Sequence, residues 1–122
     1  MELIKIISVR QVFESVADKE DIQAHLSYWM AKFLMKTEGE YNFYVTEMRK
    51  LLDKFATKTE GDEGTSLVPF DKVAEFNNAL EKLNNTDVED PGIRFNLSEI
   101  TKELKLSMRQ MYSLLDFINE DQ

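Results

Sequence analysis

Cysteine is absent from the 122 residues, which excludes disulfide scaffolds, thiolate metal sites and thiol nucleophiles together. Histidine occurs once, as His25, so no His-rich metal site can form and imidazole chemistry rests on a single side chain. Glycine (4) and proline (2) are scarce, and there is no Gly-rich phosphate loop, Gly-x-Ser-x-Gly elbow or paired-histidine zinc motif. The chain therefore reads as non-enzymatic, with no cofactor and no metal. Positive charge is also in deficit: 15 Lys and Arg face 23 Asp and Glu, a formal net charge of -8. That balance disfavours general binding to nucleic acids or anionic membranes, both of which rely on neutralising phosphate. Long apolar runs are missing too. The longest near the N-terminus, Leu3 to Ile7, is too short for a membrane span and lacks a signal-peptide layout, so a cytoplasmic protein is expected.

What is present suffices for one core. With 43% apolar and 11% aromatic residues, a chain of this length buries roughly two thirds of its unfolded surface. One domain over 1–122 is expected. Leu3-Ile4-Lys5-Ile6-Ile7, rich in β-branched residues and followed by Ser8, predicts a short strand leading into a short helix marked by Val9, Val12, Phe13 and Val16.

The strongest periodicity runs from Asp21 to about Ala56. Ile22, Leu26, Trp29, Phe33, Tyr44, Met48, Leu51 and Phe55 form one stripe. Ile22, Phe33, Tyr44 and Phe55 recur every eleven residues, an interval suited to a nearly straight helix. Gly39 is the weak point in the pattern, and Thr37-Glu38-Gly39-Glu40 offers a turn between two helices; the stripe nevertheless keeps its phase across it, so one unbroken helix roughly 50 Å long is predicted.

Thr57 to Ser66 reads as a solvated loop, and Leu67-Val68 as a short strand. Val73, Phe76, Leu80 and Leu83 mark another helix, ended by Asn84-Asn85. The alternation at Ile93 to Asn96, after the turn at Asp90-Pro91-Gly92, suggests extended chain paired with the N-terminal strand. Asn96 with Glu99, and Ser107 with Gln110, have capping-box spacing and predict helices over 97–105 and 108–119. The fold expected is mainly α with a minor two- or three-stranded sheet, its shorter helices packed on the long one.

Four features bear on function. His25, by helical phase, lies at the edge of the apolar stripe and reads as structural. Glu60-Gly61-Asp62-Glu63-Gly64 is acidic but lacks the alternating ligand spacing of a calcium loop. Residues 97–118 resemble a DNA-binding helix-turn-helix, with Ile100, Leu104, Leu106, Met111 and Leu114 inward and Arg109, Gln110 and Tyr112 facing the groove. However, Thr101 and Lys105 depart from that pattern, and the charges of the segment cancel, whereas a DNA reader normally adds positive charge here. Finally, Tyr28, Met35 and Phe43 project away from the main stripe, with Gly39 between them, on a face that either shorter helices or another protein chain would cover.

Leu26-Ser27-Tyr28-Trp29-Met30-Ala31-Lys32, the acidic Gly loop, the helix with Phe76, Leu80 and Leu83, then Val88-Glu89, Ile93 and Leu114-Leu115-Asp116-Phe117-Ile118 follow one another in an order that resembles small uncharacterised proteins of tailed phages and prophages. The resemblance implies a phage origin and a non-enzymatic role, in the particle or on a host factor. The leading expectation is thus a small acidic protein-interaction module of the host cytoplasm or virion, contacting a partner or itself through Tyr28, Met35, Gly39 and Phe43. The alternatives are a transcriptional regulator using residues 97–118, and an acidic inhibitor occupying the groove of a host nucleic-acid-binding protein.

Overall fold

Leu3 to Ile7 opens a helix, α1 (Leu3–Ser15), where a strand was expected. Leu3, Ile6, Ile7, Val9, Val12 and Phe13 are all buried along it, on more than one side. A helix apolar around most of its circumference belongs in an interior, and there tertiary packing outweighs the weak helix propensity of Ile and Val. In the computed structural model, which describes residues 1–55, 57–58 and 66–119, α1 is the element on which the others converge. It packs against α2 (Ala24–Lys36), α3 (Glu38–Phe55), α4 (Val73–Asn84) and α6 (Met108–Leu114).

The chain is mainly α with a minor β component. Among the described residues two short pairings make up the sheets: β1 (Thr57–Lys58) runs antiparallel to β2 (Ser66–Leu67), and β3 (Phe95–Asn96) runs parallel to β4 (Ile118–Asn119). The expected pairing of the N-terminus with the extended region therefore takes another form. Phe95 pairs with Ile118, while Glu2 bridges Asp87, flanked by Leu3 N–H donating to the Thr86 carbonyl (2.9 Å) and Val88 N–H to the Met1 carbonyl (2.8 Å). The acidic run Glu60 to Gly64 lies outside the described residues. Between α4 and α6, α5 (Leu97–Glu103) ends two residues earlier than expected, and α6 gives way at Leu115–Phe117 to a 3-10 turn.

Aromatic rings organise the main core. Phe33 of α2 meets Phe13 of α1 (5.5 Å between centroids) and Phe117 (5.2 Å) edge-on, and Phe13 meets Phe95 (5.2 Å) in the same way. Edge-to-face pairs of this kind add to the energy of area burial. Ile100, Leu104 and Leu114 close the same core from the C-terminal side. A second, smaller cluster joins Leu3 and Ile7 to Leu83 of α4.

The single helix expected over residues 21–56 is two helices meeting end to end at Thr37, whose backbone (φ -103°, ψ 10°) leaves the helical region for one residue. Gly39 is not the cause. It sits in the first turn of α3, where a Cβ would meet nothing within 4 Å. The break is built around Arg10, a buried cation projecting from α1. Its Nη1 donates to the Leu34 carbonyl (2.6 Å) and to Thr37 Oγ1 (2.8 Å), while Thr37 Oγ1 donates to the Phe33 carbonyl (2.8 Å). The guanidinium also lies 4.6 Å from the centroid of the Tyr41 ring. A cation at a helix C-terminus satisfies an orphan carbonyl and opposes the macrodipole. Because only one residue is lost, α3 resumes with its apolar side still inward, which explains why the sequence stripe keeps its phase.

Candidate functional site

Leu26, Met30 and Phe33 turn one side of α2 into the core, so side chains half a turn away must face solvent. Tyr28 and Met35 do, at 59% and 62% exposure, and Trp29, expected in the buried stripe, is 38% exposed. Tyr28 and Trp29 stack edge-to-face at 5.3 Å. Phe43 and Gly39 are exposed as well, but across the break at Thr37. Of the four residues singled out from sequence, Tyr28 and Met35 share one helix face, and Gly39 and Phe43 stand on the next helix.

A second exposed apolar face was not anticipated. Met108, Tyr112 and Leu115 are 86%, 77% and 58% exposed, at the i, i+4, i+7 spacing of one helix side. The signal was in the sequence, interleaved with the inward set Met111 and Leu114, but the helix-turn-helix reading assigned that outer side to DNA. Beside it, a groove of about 430 Å³ runs between α1 and α6, lined by Ile4, Ser8, Tyr112 and Leu115 and spanned by the Lys5–Asp116 ion pair at 3.5 Å. Of the proposed DNA contacts, Arg109 and Tyr112 are exposed, while Gln110 is engaged in a capping box. Its Oε1 accepts from Ser107 N–H (2.8 Å), its own N–H donates to Ser107 Oγ (3.2 Å), and its Nε2 reaches Ser15 Oγ (3.4 Å). Arg109 is the sole charged residue in α6.

His25 lines a cleft of about 320 Å³ with Trp29, Gly92, Arg94, Asn96 and Glu99. Its Nδ1 lies 2.9 Å from Glu99 Oε1, so the carboxylate that sequence spacing assigned to a capping box with Asn96 ties α5 to α2 instead. Asn96 makes no side-chain cap bond. A carboxylate-oriented imidazole is half of a general-base arrangement. The lining contains no Ser, Thr or Cys to act as its nucleophile. On the cleft's other edge, Gly92 adopts φ 74°, and its N–H donates to Asp90 Oδ1 (2.8 Å) while Arg94 grips both Asp90 oxygens (3.1 and 2.5 Å).

Hydrogen bonding from Arg94, then from the Gly92 N–H, holds the Asp90 carboxyl down at about 2, below its ordinary 3.8. A depressed folded-state pKa contributes stability above the unfolded value and loses it as pH falls through the folded one. The stability difference between the natural chain and Asp90→Asn should thus be steady above pH about 4 and shrink on acidification towards pH about 2. Urea midpoints at stepped pH check this, and a difference indifferent to pH would refute it.

Among the described residues, no cluster of three His, Cys, Asp or Glu side chains could hold a metal ion, and no helix is long and apolar enough to cross a membrane. No family model, curated protein or solved structure matches the chain.

Proposed function

We propose that the chain is a small acidic protein-interaction module, non-enzymatic and of phage origin, acting through exposed helix faces in a virion or on a host factor. The observation that carries this reading is the outer side of α6 and the turn that follows it, where Met108 and Tyr112, then Leu115, stand in solvent beside the groove along α1. Large apolar side chains clustered on a surface mark contact sites, and aromatic and Met residues are enriched there. The same face argues against the DNA-regulator alternative. A recognition helix with one cation, Arg109, offers little phosphate neutralisation in a chain of net charge -8.

The test is retention. Immobilised chain should hold a protein from lysate of its native host in stoichiometric amount, and the triple substitution Met108→Ser, Tyr112→Ser, Leu115→Ser should reduce that capture at least tenfold, as loss of two or three anchors does. Equal capture by both forms would overturn the reading.

A further inference from the structure

The outer face of α2 has an internal symmetry that α6 lacks. Ala24, Tyr28, Ala31 and Met35 are all exposed, and their spacing of four, three and four is that of alternating d and a positions in a heptad seam. Small and large side chains alternate along it. An axis through the midpoint between residues 29 and 30 exchanges Ala24 with Met35, and Tyr28 with Ala31. Two copies of α2 laid antiparallel about that axis would set each large side chain over a small one.

We infer that this face binds a second copy of the same chain, forming a two-fold antiparallel pair of α2 helices. An isologous contact demands a surface complementary to itself, and the alternation supplies it, with the alanines admitting close approach of the backbones. The charges agree with the orientation. Asp18, Glu20 and Asp21 precede α2 with Lys19 among them, its Nζ 4.0 Å from Asp21 Oδ1; residues 22–37 contain no acid, and Lys32 and Lys36 lie in the C-terminal half, where Lys36 Nζ donates to the Pro91 carbonyl (2.8 Å). Among the described residues Lys32 has no ion-pair partner. An antiparallel pair about that axis opposes the helix dipoles and stands Lys36 of one copy opposite Gln23 of the other, two residues from Asp21; a parallel pair would put lysine beside lysine. Glu38 and Glu40 belong to α3, past the break at Thr37. A contact confined to 13 residues, roughly 20 Å of helix, is at the small end of specific interfaces, so the dimer is weak, with a dissociation constant on the order of tens of micromolar.

This inference rests on the reading of the chain as an interaction module but uses a different helix face. Freedom from cysteine makes the test direct. Single substitutions Ala24→Cys and Met35→Cys, both at exposed positions, are prepared separately, mixed at about 200 μM (several times that dissociation constant) and oxidised. A disulfide needs Cβ atoms about 4 Å apart, and in the antiparallel pair like positions are about 16 Å apart along the axis. The mixture should give at least ten times more covalent dimer than either variant alone, and adding Ala31→Glu to both should abolish it. Equal yields from single variants and mixture, or no covalent dimer together with a monomer in sedimentation at that concentration, would overturn the inference. Polar substitution at Met108, Tyr112 and Leu115 should leave cross-linking unchanged, so failure of the α6 reading and failure of the α2 pairing give different results.

Discussion

Replacing Arg10 with Met should lower stability by about 2–4 kcal/mol, a large share of the roughly 5–15 kcal/mol available to a domain of this kind. Met preserves much of the side-chain volume, so the loss reads the polar contacts. Two charge-assisted hydrogen bonds disappear, to the Leu34 carbonyl and to Thr37 Oγ1. Each is worth about 1.5–3 kcal/mol, and the carbonyl is left at a helix end without a donor. Part of this is offset because a buried cation no longer has to be desolvated; among the described residues its Nε has no hydrogen-bond partner. The break between α2 and α3 should loosen with it, and amide exchange at Thr37 and Tyr41 should accelerate together. A double-mutant cycle with Thr37→Val should return a coupling of at least about 1 kcal/mol. An urea midpoint within error of the natural chain would show that the junction holds without the guanidinium.

Phe33→Ala should be comparably severe, at about 3–5 kcal/mol. The ring is fully buried and touches Phe13, Phe95 and Phe117. Removing it therefore opens a cavity where α1, α2, β3 and the C-terminal turn meet, and it cancels three ring contacts at once. The expected fall in melting temperature is more than about 10 °C. Thr37 lies one helical turn along from Phe33 and holds Arg10 through Oγ1, so the substitution also discriminates: a loss confined to the core leaves exchange at Thr37 following the global value. A fall of less than about 1 kcal/mol would mean that the four rings do not act as a unit.

Much of the fold was legible, for reasons that differ element by element. Ser107 and Gln110 form the expected capping box because both partners are local and solvent offers no better one. Glu99, with the same spacing from Asn96, does not, since His25 lies within reach on α2; a long-range partner outcompetes a local one, and no window of sequence shows it. Leu3 to Ile7 was misread because a short apolar run carries no period to separate a buried strand from a buried helix. The junction at Thr37 was half legible: Thr37-Glu38-Gly39-Glu40 offers a turn, but the unbroken phase of the stripe argues for a single helix. The junction's determinant, Arg10, is 27 residues away, beyond the reach of any local pattern.

The exposed apolar faces were half legible. Tyr28 and Met35 stood out because they break the phase of a strong stripe. Met108, Tyr112 and Leu115 did not, because α6 has seven residues and two interleaved apolar sets over so few turns leave no polar face to contrast with. Trp29 was assigned inward on phase alone, and the fold leaves it at the edge of the His25 cleft.

The position of α1 at the hub has a consequence during synthesis. Its partners α4 and α6 lie about 60 to 100 residues downstream, so at ribosomal rates of roughly 5–20 residues per second the most extensively buried of the described helices is made several seconds to tens of seconds before the surfaces that cover it. Until then only α2 and α3 can shield it, which leaves a nascent chain offering an oily segment to chaperones or to neighbouring nascent copies.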